Sequence, residues 1–165
     1  MKNIAGLSFS SVLLVPDNNN HHMPYIYAIT PTYERVVQKP ELTRLSQTLL
    51  HVRNLHWIVV EDSPNKTELV TSFLQMSGMN YTHLSISSKS IKNMPGMKPA
   101  WLSHKGVLQR NIALEWIRRH SNGTKDDAVI YFADDDNTYD LKIFEEVSSS
   151  NNSLIFRSYC VEMCW

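Results

Sequence analysis

Four short strand-like runs, at residues 25–30, 55–60, 81–86 and 128–133, alternate with segments that carry helix and breaker signals, and this alternation constrains the fold most. The first run, Tyr25 to Thr30, stops at Pro31, and residues 41–51 follow with Leu42, Leu45, Leu49 and Leu50 at helical spacing. The second ends at Glu61 and Asp62 before the breaker Ser63-Pro64, and residues 68–76 read as a short amphipathic helix stopped near Gly78. After the third comes a polar loop with Lys89, Lys92, Pro95, Gly96 and Pro99. A helix of about fifteen residues then starts at Lys105, with Leu108, Ile112, Ala113, Trp116 and Ile117 as its stripe. Strands alternating with helices predict an α/β domain with a mostly parallel sheet, because parallel neighbours can be joined only by crossing over one face. At 165 residues and 42% apolar content the chain can bury the core of one domain, although a two-lobed enzyme would want more chain.

Charge narrows the partners. Sixteen basic residues balance sixteen acidic ones, so no global field points to nucleic acid or an anionic membrane surface. Residues 4–15 are mildly apolar but broken by serines and a glycine, too short to span a bilayer, and read with the polar stretch after Pro16 as a disordered, frayed leader over 1–23, with a secretory signal as the alternative. Four acceptor sequons, at Asn65, Asn80, Asn122 and Asn151, hint at a lumenal compartment. Cys160 and Cys164 both fall at the extreme end of the chain and make neither a disulfide framework nor a zinc set.

Ligands on parallel α/β sheets bind at the carboxyl ends of the strands, and the polar groups of this chain collect there. Thr30-Pro31-Thr32-Tyr33 follows the first strand, Glu61-Asp62 the second, and Asp134-Asp135-Asp136 the fourth. Three adjacent carboxylates repel one another, and a hard divalent cation or solvent must offset them; the same residues also serve as a solvated acidic turn ahead of a helix at 141–146. A nucleotide would unify the set. Tyr33 can stack on a base, Asp62 can accept from a base imide or ribose hydroxyls, and an Asp-bound magnesium or manganese can bridge a diphosphate met by Lys105 or Arg110. No G-x-G-x-x-G or Walker pattern exists among only five glycines, which disfavours ordinary Rossmann dehydrogenases and P-loop enzymes.

Taken in order, the runs at 27–33 (YAITPTY), 42–50 (LTRLSQTLL), 56–62 (HWIVVED) and 131–139 (YFADDDNTY), with Gly106-Val107 and Gln109-Arg110-Asn111, resemble the animal β-1,3-glucuronosyltransferases. The resemblance covers residues 24–147, taken as a UDP-sugar and metal-binding domain. It implies a GT-A type, Rossmann-like fold, UDP-glucuronate as donor, manganese as cofactor, and inverting transfer to a terminal galactose of the proteoglycan linkage tetrasaccharide. On matching positions it implies that Pro31, Thr32, Tyr33 and Asp62 hold the uracil and ribose, that Asp134 and Asp135 contact the nucleotide sugar, and that Asp136 ligates manganese. Arg110 would approach the donor, and Lys105 stands where the family has arginine, keeping the charge but losing the planar fork. Golgi residence as a type II membrane protein and homodimerisation are implied in the same way.

After residue 147 the family continues with an acceptor pocket and a carboxylate acting as general base, which residues 148–165 do not match. This tail reads as a truncated, alternatively spliced or frame-shifted terminus, leaving the donor-binding half only. Asp140, Glu145 and Glu146 lie on the following helix and read as its capping or solvated face. Two readings therefore stand: a glucuronosyltransferase, or an inert UDP-binding fragment or regulatory partner of the full-length enzyme.

Overall fold

The computed structural model describes residues 24–89, 105–120 and 128–149. In chain order these form β1 (Tyr25–Thr32), α1 (Gln38–Leu49), β2 (Leu55–Glu61), α2 (Glu68–Met76), β3 (Tyr81–Ser85), α3 (Val107–His120), β4 (Ala128–Phe132) and α4 (Leu141–Ser149). The four strands make one sheet in the order β3-β2-β1-β4, and every neighbouring pair is parallel. The leader at 1–23, the loop at 90–104 and the tail from 150 lie outside the described residues. Among the described residues no helix is long and apolar enough to cross a membrane.

Both faces of the sheet are covered, which is why the central strands β1 and β2 carry apolar residues at both parities. Ile26 and Ala28 of β1 with Leu55, Trp57 and Val59 of β2 pack against Leu42, Leu45 and Leu49 of α1, Val70, Phe73 and Leu74 of α2, and Phe144 of α4. The other parity, Ile29, Ile58 and Val60, meets Ala113, Leu114 and Ile117 of α3. The burial of Gln109, Ala113, Leu114 and Ile117 sets the inward face of α3, whereas Leu108, Ile112 and Trp116 are only partly covered, so the stripe is rotated from the one the apolar pattern suggests.

Two prolines sit inside elements, and one of them, Pro31, was expected to end its strand. Pro31 does not stop β1, which runs on to Thr32. The carbonyl of Ile29 accepts from Ala133 N–H on the β4 side, so two residues on, Pro31 faces the side where β4 has already ended. Its missing N–H costs no ladder bond there. Pro40 likewise falls within the first turn of α1, which starts at Gln38 instead of Glu41, because first-turn N–H groups have no intrahelical partner to lose.

Candidate functional site

The parallel register brings the carboxyl ends of β1, β2 and β4 to one edge. Thr32 pairs with Glu61, and Ile29 pairs with Phe132, after which the three-aspartate turn begins. A cavity of about 330 Å3 opens there, and all nine expected site residues line it: Pro31, Thr32, Tyr33, Asp62, Lys105, Arg110, Asp134, Asp135 and Asp136. Gly106 and Gln109 complete the lining.

Each wall has a local cause. Thr32 is buried because Gln38, at the start of α1, donates to its hydroxyl at 3.1 Å. Tyr33, one residue beyond the strand, is 45% exposed and presents its ring to the cleft, with Arg35 Cζ 4.4 Å and Lys105 Nζ 5.5 Å from the ring centroid. Asp62 is pinned at both ends: its N–H donates to Thr32 O at 2.8 Å and its carboxylate accepts from Ser88 N–H at 2.7 Å. Gln109 donates to the Ser88 hydroxyl at 3.1 Å from the buried face of α3. Gly106 carries φ +80°, and a Cβ there would lie 2.7 Å from Arg110 Nη1 and 3.3 Å from Pro31 Cγ. Gly106→Ala is therefore expected to lose about 1–2 kcal/mol of stability, the penalty of a left-handed residue with a Cβ; a urea denaturation curve superimposing on that of the parent would show that the loop relaxes freely.

The three aspartates differ in state. Asp134 pairs with Arg110, and the Asp134 N–H donates to the Tyr139 hydroxyl at 2.7 Å. Asp135 is buried and pairs with Arg35 at 2.8 Å, leaving its Oδ2 without a hydrogen-bond partner. Arg44 on α1 donates to the Asp136 carbonyl at 2.8 Å, so the turn is held by its backbone while the Asp136 side chain stays exposed. Burial raises the Tyr139 phenol above its usual range, the Asp134 and Asp136 charges add to that, and hydrogen bonds with Asn137 and Asp134 partly oppose it, so Tyr139 stays a neutral clamp on the turn.

Arg35, Arg44, Gln38, Ser88, Gln109 and Tyr139 were given no role at the site from the sequence. Gln109 did carry a signal, a polar residue in phase with Ala113 and Ile117 on the buried face of a helix. Arg35 and Arg44 carried none, because their aspartate partners lie on a distant loop.

The arrangement defines a parallel α/β domain with an acidic, cation-edged ligand cleft at its strand ends. The chain belongs to glycosyltransferase family 43, whose model matches residues 45–153. It is 47% identical over 129 residues to human galactosylgalactosylxylosylprotein 3-beta-glucuronosyltransferase 1, covering 78% of this chain and 39% of that protein. To the Caenorhabditis elegans galactosylgalactosylxylosylprotein 3-beta-glucuronosyltransferase sqv-8 it is 49% identical over 134 residues, 81% of this chain and 37% of that one. To human galactosylgalactosylxylosylprotein 3-beta-glucuronosyltransferase 3 it is 46% identical over 134 residues, 76% and 40% respectively. The chain thus spans about two fifths of the length of the relatives it matches. A weaker structural likeness is to the crystal structure of S. aureus TarS 1-349, with TM-score 0.48 and 17% identity over 76% of this chain and 31% of that one.

Proposed function

We propose that this chain binds UDP-glucuronate in the cleft with manganese at Asp136, as the donor-binding part of a GT-A type, inverting β-1,3-glucuronosyltransferase acting on a terminal galactose of the proteoglycan linkage tetrasaccharide. One observation carries the reading: three strand ends and one helix start bring an aromatic ring, a pinned carboxylate, two cations and an acidic turn to a single cavity. Those are the groups a base, a ribose, a diphosphate and a divalent ion require. The names of the family 43 relatives support glucuronate as the sugar.

Tyr33 offers a flat, partly exposed ring to the uracil, and Asp62, held by Ser88, offers acceptor oxygen to the imide or the ribose hydroxyls. Lys105 and Arg110 meet phosphate charge from the start of α3. The donor set suits a hard cation completed by its ligand. Among the described residues no three His, Cys, Asp or Glu side chains enclose an ion, while the exposed Asp136 carboxylate has neither hydrogen bond nor ion pair. Manganese and magnesium sites are commonly built from one or two carboxylates, water and substrate phosphates. When bound, the ion would neutralise charge on the departing diphosphate.

The lining carboxylates leave no evident base for the acceptor hydroxyl: Asp62 is engaged by Ser88, Asp134 by Arg110 and Asp135 by Arg35, and Asp136 is assigned to the cation. That commitment favours, as the second reading, a UDP-binding unit without transferase activity of its own. Titration of UDP into the purified chain with manganese, then with EDTA, tests binding, and a folded chain with no manganese-dependent heat would end the proposal. Labelled glucuronate incorporation into a galactose-terminated acceptor separates the two readings.

Tyr33→Ala is expected to weaken UDP by about 1–3 kcal/mol, the range for a base stacked on an aromatic ring. Unchanged affinity would mean that the ring only packs under Arg35. Golgi-lumenal residence and homodimerisation are carried over from the resemblance. Asn65 and Asn80 are exposed, as glycan acceptors must be, while Asn122 and Asn151 lie outside the described residues. Glycosidase-sensitive mass on the secreted chain tests the compartment, and light scattering tests the dimer.

A further inference from the structure

We infer that Arg35 is a positioning residue of the donor site, coupling the Tyr33 ring to the three-aspartate turn; this rests on the nucleotide reading above. Its guanidinium uses its whole planar shape. Nε donates to Glu41 at 2.8 Å, Nη2 pairs with both Glu41 and Asp135 Oδ1, the latter at 2.8 Å, and Cζ stands 4.4 Å from the Tyr33 ring centroid. Arg35 thereby joins the loop after β1, the first turn of α1 and the turn after β4.

The consequence runs through Asp135, which is 5% exposed and whose other oxygen has no partner. Without Arg35 it would be a buried carboxylate between two further carboxylates with no cation paired to it, and it would have to move outward toward solvent. That movement shifts the adjoining backbone, where Arg44 holds the Asp136 carbonyl, and with it the carboxylate assigned to the cation. A lysine keeps one charge beside Asp135 but cannot fork to Glu41 and lie on Tyr33 at once.

The test is the ratio of UDP affinities measured with manganese and with EDTA, in the full chain and in Arg35→Lys, Arg35→Gln and Glu41→Gln. A residue that only props the fold lowers the melting temperature and leaves this ratio alone. The expected result is a ratio reduced roughly tenfold in Arg35→Gln, the size of one lost charge-assisted hydrogen bond, and at least about threefold in Arg35→Lys. Glu41→Gln, which keeps the Asp135 pair, should retain the parent ratio despite any loss in melting temperature. If Arg35→Gln does not fold, Arg35→Lys decides alone. Parent-like ratios in the folded Arg35 variants would overturn the role and leave the nucleotide reading standing. Absence of manganese-dependent binding in the parent would overturn that reading and the role with it.

Discussion

Asp136→Ala is expected to reduce UDP affinity in manganese to the value measured in EDTA, while leaving the melting temperature unchanged. The two halves of this expectation follow from one fact. Among the described residues the Asp136 side chain is exposed and makes no hydrogen bond or ion pair, so its removal leaves no partner stranded. Surface changes of that kind fall within about 0.5 kcal/mol. Yet it is the lining aspartate whose carboxylate no neighbouring cation or N–H already holds, and a hard ion needs such an oxygen. Asp135→Ala should instead lower the melting temperature, because it takes from the Arg35 guanidinium one of its two carboxylate partners and opens a buried gap. Calorimetry with and without EDTA, paired with a thermal melt, reads both. Retained manganese dependence in Asp136→Ala would move the ion to Asp134 and require Arg110 to release it.

Strand and helix order was legible because it rests on local patterning, and all four strands occur where the strand-like runs lie. The convergence of residues 31–33, 62 and 134–136 was legible too, since parallel topology places all such loops at one edge. Their hydrogen-bond and ion-pair partners were not. Nothing near Asp135 in the sequence indicates that Arg35 neutralises it, nor near Asp62 that Ser88 and Gln109 orient it, because these contacts depend on how far each loop folds back over the sheet. The stop at Pro31 misled for a related reason. Pro31 looks like a terminator in one dimension, but whether a missing N–H matters depends on which side a neighbouring strand occupies.

The largest loss of stability from a single polar side chain is expected at Glu61, at the end of β2. It is 1% exposed and accepts from Thr67 N–H and the Thr67 hydroxyl, each at 2.8 Å, and faces His83 Nε2 at 2.9 Å. Burial alone would raise its pKa, but the hydrogen bonds from His83 and from Thr67 outweigh it and hold the carboxyl below the usual range. A folded value below the unfolded one means the stabilisation is fully present only above the unfolded value, about 4.3, and is lost as pH falls through the depressed one. Glu61→Ala strands the Thr67 cap of α2 and the His83 ring, and should cost about 3–5 kcal/mol by urea denaturation at neutral pH. Glu61→Gln keeps the shape and should cost less, while flattening the acid limb of the stability profile. The effect reaches the cleft because Asp62 is the next residue: Ile86 N–H donates to Glu61 O at 2.9 Å, in the segment that also brings Ser88 to the Asp62 carboxylate. UDP affinity of the folded fraction should therefore fall with stability in Glu61→Ala. A cost under about 1 kcal/mol, no larger than that of a surface ion pair, would mean that the buried cluster contributes little net stability and that Asp62 is held by Ser88 and Thr32 alone.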